Sequence, residues 1–245
     1  MMAAPSHPDA VPVRWWRLDG GGPASPGADG AASAPLPASP GGSGFAASGA
    51  SRRLVANSGA GDDGGVIVIG VQGQPEREAA RRAIRQAIAA ELLLLSGLPP
   101  QRIIVHTPRG GGPWAELGFP DGPRRAWLAI SHDGALSVAA ISLRGAVGID
   151  VTQIADPAAF PDWEPVARDY LGPDAAAALA ALPPEGRPAA FARAWSERES
   201  RLKYLGRELV EWSADGDREL AACRCLALAL PDGYAGVLAL PDERA

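Results

Sequence analysis

Lysine is nearly missing from this chain: of 23 basic residues, one, Lys203, is lysine and 22 are arginine. Arginine is the default cation, in keeping with a general bias towards Ala, Gly, Pro and Arg. A lysine that survives such a bias marks a position where a compact ammonium has its own chemistry, with chance as the rival account. An excess of positive charge is also missing. The net charge is −5, which excludes the basic footprint that a nucleic-acid partner would demand. Long hydrophobic runs are absent too. The longest aliphatic stretch, 92–95, is far short of a bilayer span, and the first residues show no basic-then-apolar secretory pattern. No membrane partner and a cytoplasmic location are therefore expected. Cysteine is scarce: Cys223 and Cys225 alternate within one apolar stretch, a spacing too constrained for an ordinary disulfide and too poor for a closed zinc site. Buried core thiols are the expectation.

What the chain has in quantity is hydrophobic material, 47% of 245 residues, ample for a core. Residues 1–19 supply an N-terminal strand (11–19) assigned to a first half of the fold. Residues 20–65 are almost wholly Gly, Ala, Pro, Ser and Asp, a composition that buries too little apolar surface to offset ordering, and read as a flexible insertion. The first half resumes at 66–134, with a buried strand at 66–71, a helix from Pro75 to Ser96 stopped by Gly97, and strands at 102–106 and 127–131. The second half, 135–245, opens with strands at 135–142 and 146–151. Asp133-Gly134 and Arg144-Gly145 as turns predict a three-strand meander that brings His132 and Asp150 to one sheet end, roughly 10 Å apart across two strand steps. Helices follow at 163–170, 174–181 and 188–205, the last stopped by Gly206, and strands at 219–230 and 234–240 close the chain. The fold class is α+β: two halves, each a long helix with a small antiparallel sheet, without a residue-level repeat.

On the helix from Pro188, residues Phe191, Trp195, Glu199 and Lys203 recur four apart and share one stripe. A surface Glu199–Lys203 pair, contributing about 0.2–0.5 kcal/mol, satisfies that spacing by itself. Two aromatics leading the stripe argue instead for a core or a cleft. Asp150, alone, is an acid at a strand end; beside Glu199 it would supply two hard oxygen ligands of the kind Mg²⁺ takes. His132 alone is as readily a hydrogen-bonded structural residue.

Three segments stand in order: Ser131-His132-Asp133-Gly134, Val147-Gly148-Ile149-Asp150-Val151, and Trp195-Ser196-Glu197-Arg198-Glu199-Ser200-Arg201-Leu202-Lys203. Together they resemble the 4′-phosphopantetheinyl transferases of the surfactin-synthetase type, with their Ser-His-Ser/Ala-Gly turn, Gly-Ile/Val-Asp-x-Glu strand end and Trp-Ser/Thr-x-Lys-Glu-Ser/Ala-x-x-Lys helix. The resemblance spans 128–206. It implies a pseudo-twofold α+β protein, monomeric because both halves lie in one chain. Coenzyme A would lie between the halves, its pyrophosphate on Mg²⁺, and a serine of an apo acyl or peptidyl carrier protein would attack the β-phosphate. It also implies roles: Asp150 and Glu199 as metal-binding acids, Glu199 as base, Lys203 and Arg198 at the coenzyme A phosphates, Ser131 and His132 at the 3′-phosphate. Asp150, Glu199 and Lys203 form the implied catalytic set.

The chain departs from the family at three places. Thr152 stands where a second acid is usual, so that a water or the Thr152 hydroxyl would complete the metal site. Arg198 replaces the first lysine of the helix motif, and Gly111-Gly112-Pro113 replaces Gly-Lys-Pro. Arg109, Arg124 or Arg125 would then replace the lost cation, and Arg81 or Arg82 would match a phosphate contact of the first half. Two rival readings share these residues: a non-catalytic relative that binds coenzyme A or a carrier protein, and an unrelated Mg²⁺-dependent phosphatase, which leaves the Ser-His turn unexplained.

Overall fold

A computed structural model describes residues 10–16, 65–74, 76–108, 111–156 and 162–242. The expected insertion, 20–65, lies outside the described residues except for Gly65.

Apolar strands and helices with buried residues three and four apart build two sheet-and-helix units of mixed α/β type. The first sheet holds β1 (Arg14–Trp15), β2 (Val66–Gln72), β3 (Ile103–His106), β4 (Trp114–Phe119), β5 (Gly122–Asp133) and β6 (Leu136–Ser142), in the order β1-β2-β6-β5-β4-β3. Helix α1 (Arg77–Ser96) lays Ile84, Ile88 and Leu92 against one face of it, on Ile69, Val71, Leu117, Leu128 and Ile141. Each fully buried aliphatic of this kind contributes about 1.5–3 kcal/mol. Gly97 ends α1 at φ 65°, its N–H on Leu93 O, as its sequence position predicts.

The second sheet, in the order β7-β9-β8, comprises β7 (Gly148–Gln153), β8 (Cys223–Ala227) and β9 (Tyr234–Pro241). Its Ile149, Val151, Leu238 and Leu240 pack on Val68, Ala129, Val138 and Ala140 of the first sheet. Short helices α2 (Trp163–Val166) and α3 (Pro173–Ala180) precede α4 (Arg187–Tyr204), which lies on β7 and β9. Helix α5 (Ala214–Leu220) leads into β8. The layers therefore run α1, first sheet, second sheet, α4. The N-terminal segment ties the sheets together: Val11 bridges Leu228 beside the second, while Arg14 and Trp15 pair in parallel with Ile69 and Gly70 of the first.

The expected meander does not form. Strand β6 is hydrogen-bonded on one edge to β2 and on the other to β5. A strand has only two edges, so β7 has none to join, and it pairs with the distant β9 instead. The change of sheet falls at 143–147, and the 134/135 boundary drawn from sequence runs through the β5–β6 hairpin. Strand β4 and the first part of β5 were hidden in turn-rich sequence. Pro120 and Asp121 make their hairpin, and Phe119 pairs with Gly122. The stretch expected to be strand from 219 begins as helix α5.

Candidate functional site

Strand alternation sets the site. Ile149 and Val151 of β7 enter the core between the sheets, so Gly148, Asp150 and Thr152 turn towards α4. Gly148 permits a very close approach there: a Cβ at this position would lie 1.9 Å from Ser200 O and 2.6 Å from Tyr204 N. Ser196 and Ser200, both fully buried, keep the facing side of α4 equally thin. Ser196, Glu199, Ser200 and Lys203 recur at helical spacing and share that side.

Strand β7 is the edge of its sheet, and the end of β5 covers it with side chains. Val151 N–H donates to Ser131 Oγ at 3.3 Å and Gln153 N–H to Asp133 Oδ2 at 2.7 Å. The same Ser131 hydroxyl donates to Asp150 Oδ1 at 2.7 Å. Lys203 Nζ donates to Asp150 Oδ1 at 2.6 Å and to Ser131 Oγ at 3.1 Å. Asp150 is thus a buried carboxylate held by a hydroxyl and an ammonium, as an ion taken from water requires. Its other oxygen, Oδ2, accepts from Thr152 Oγ1 at 3.3 Å, and Thr152 shares a further hydrogen bond of 2.8 Å with Ser196 Oγ.

Glu199 is half-buried. Burial raises its pKa above the ordinary carboxylate value, Lys203 opposes the rise, Asp150 adds to it and Arg198 opposes it. The expected aromatic end of the stripe is present as well: Phe191 stacks on Trp195 at 5.8 Å, and Trp195 meets Tyr170 edge-on at 5.7 Å. Phe191 and Trp195 pack with Ala167, Ala176 and Leu179 and anchor the first turns of α4.

The structure gathers Ser131, Asp150, Thr152, Glu199 and Lys203 and places the other candidates elsewhere. His132 follows Ser131 on the opposite face of β5, its Nδ1 3.0 Å from Ser137 Oγ on the paired strand. Gly134 turns the hairpin at φ 54°, where a side chain would also strike Gln153 and Tyr234. Arg198 is buried against Val210 O, 3.0 Å away, and faces Asp217 at 4.0 Å. Burial lowers its pKa, with Asp217 and then Glu199 acting the other way. Arg124 lies over Phe119, while Arg125 lies over Trp114 and Trp127. Arg81 pairs with Glu78 on the exposed face of α1, Arg82 is exposed, and Arg109 lies outside the described residues. Sequence reasoning passed over the Ser196–Thr152 bond, although Ser196 stands one helical turn before Glu199.

Asp150, Glu199 and Thr152 form a set of hard oxygen donors, and such a set fits Mg²⁺. Among the described residues no group of three or more His, Cys, Asp or Glu side chains is placed to hold a metal. No helix among the described residues is long and apolar enough to cross a membrane. No curated protein matches the chain. Residues 146–226, which carry Asp150, Thr152, Ser196, Glu199 and Lys203, match the family model of the 4′-phosphopantetheinyl transferase superfamily.

Proposed function

We propose that the protein transfers the 4′-phosphopantetheine arm of coenzyme A to a serine of an apo acyl or peptidyl carrier protein, releasing adenosine 3′,5′-bisphosphate. The observation that carries this reading is the buried contact of Lys203 and Ser131 with Asp150, beside Glu199, inside and next to the segment that matches the family. Asp150 and Glu199 would hold Mg²⁺, with Thr152 as neighbour. When bound, that ion neutralises charge on the pyrophosphate. Lys203 already bears on Asp150 and Ser131 and presents its remaining donor to a phosphate oxygen. Glu199, made more basic by burial, takes the proton of the carrier serine as its oxygen bonds to the β-phosphorus and the bond from that phosphorus to the bridging oxygen breaks. Positioning and charge neutralisation are the main resources of phosphoryl transfer. Ser131 fixes Asp150, and the resemblance assigns His132, on the other face of β5, to the 3′-phosphate.

This reading includes the pseudo-twofold relation of the two sheet-and-helix units, the surfactin-synthetase subtype, a monomeric state and a cytoplasmic location. The test is incubation with coenzyme A, Mg²⁺ and an apo carrier protein, followed by mass spectrometry of the carrier. Gain of one phosphopantetheine supports transfer. Binding of coenzyme A or carrier without any gain in mass would favour a non-catalytic relative.

A further inference from the structure

Two hydroxyls on β7 and α4 have fewer protons than contacts. Thr152 Oγ1 lies 3.3 Å from Asp150 Oδ2 and 2.8 Å from Ser196 Oγ, and Ser196 Oγ lies 3.4 Å from Ala235 O. Each hydroxyl carries one proton. With a proton kept in the 2.8 Å contact, the three contacts can be ordered in two ways. In the first, Ser196 donates to Thr152 and Thr152 donates to Asp150 Oδ2. In the second, Ser196 donates to Ala235 O, Thr152 donates to Ser196, and the lone pairs of Thr152 face Asp150 Oδ2. Two oxygens without a proton between them repel, unless a cation lies between.

We infer that Ser196 is a positioning residue for the cation site, because its ability to accept the Thr152 proton lets Thr152 change from a donor to Asp150 into an oxygen ligand beside it. The inference rests on the proposed function, which places a divalent cation at Asp150 and Glu199. Ser196 is suited to this task by its burial. It is fully enclosed, so its own hydroxyl has no solvent water to bond in place of Thr152, and α4 holds it at fixed distance from β7 through the close contact at Gly148. The exchange needs only rotation of two hydroxyl groups, with no change in net proton count. It also gives a physical role to the serine of the helix motif, which otherwise makes only a long bond to a backbone carbonyl.

With alanine at 196, Asp150 is the side-chain acceptor left to Thr152, and the donor arrangement is favoured. Outer partners of a metal site change affinity by about 10–100-fold. The experiment titrates Mn²⁺ into the full chain, in the presence of coenzyme A, and follows free Mn²⁺ by electron paramagnetic resonance. Ser196→Ala is expected to weaken Mn²⁺ binding by about tenfold. Thr152→Val should weaken it to a similar degree. The double variant should be no weaker than Thr152→Val, since both changes remove one device. Ser196→Thr, which keeps a hydroxyl, should restore affinity. Urea midpoints verify folding, and Ser196→Cys, of similar volume but a weak donor and acceptor, takes the place of Ser196→Ala if that variant does not fold. A folded Ser196→Ala or Ser196→Cys protein with unchanged Mn²⁺ affinity would overturn the role of Ser196 and leave the metal reading standing. Additive losses in the double variant would overturn it as well. Failure of the unaltered protein to bind Mn²⁺ with coenzyme A would overturn both.

Discussion

Lys203 pairs across the α4–β7 contact with Asp150, at 2.6 Å, rather than along its own helix with Glu199. The difference matters because an exposed pair within one helix turn contributes only tenths of a kcal/mol, whereas this pair joins the two elements that carry the site. The ammonium is enclosed on the Asp150 side and about a third of its side chain remains accessible, so it can meet an anion without leaving its partner.

Replacing the ammonium by a wide planar guanidinium tests that geometry. Lys203→Arg keeps the charge and is expected to hold stability to within ~1 kcal/mol, while kcat/KM for carrier modification falls at least about tenfold, or roughly 1.4 kcal/mol. Lys203→Ala leaves Asp150 buried with Ser131 and Thr152 alone, and should lower stability by about 1–3 kcal/mol in urea melts besides losing more activity. Near-normal kinetics for Lys203→Arg would show that the shape of this cation is unimportant.

Gly148→Ala tests the spacing between β7 and α4. Its methyl group would meet backbone atoms of Ser200 and Tyr204, which no rotamer change can clear. The expected result is a loss of ~2 kcal/mol or more in urea denaturation, with activity reduced in the fraction that stays folded. A variant of unchanged stability would mean that α4 slides easily on the sheet, and that Asp150 and Lys203 are held by something other than this contact.

Glu91 supplies a pH test away from the site. It is fully buried on α1 and ion-paired with Arg14 of β1. Burial raises its pKa above the ordinary 4.5, and Arg14 only partly opposes this. Between 4.5 and the raised value the folded chain holds more protons than the unfolded one, so this residue makes stability fall as pH rises through that window. Glu91→Gln should flatten that fall in urea melts taken from acid to neutral pH. An unchanged slope would show that Arg14 holds the carboxylate ionised throughout.

What the sequence by itself determined is local. The period of α1 and α4, the stops at Gly97 and Gly206 and the turn at Gly134 follow from backbone freedom and from apolar residues spaced for one face, all within a few residues. The grouping of Asp150, Glu199 and Lys203 was legible through the motif resemblance. Three-dimensional pairing was not. Arg144-Gly145 looks like a hairpin turn, yet both edges of β6 are taken, and the true partner of β7 is β9, at the far end of the chain. Only tertiary structure decided that Lys203 would pair with Asp150, that His132 would face away from it, and that Ser196 would meet Thr152. The orientation of His132 comes from side-chain alternation along β5, whereas the Lys203 and Ser196 contacts depend on how closely α4 approaches β7. That distance is set by a missing side chain at Gly148, and an absent group leaves no periodic signal in a sequence.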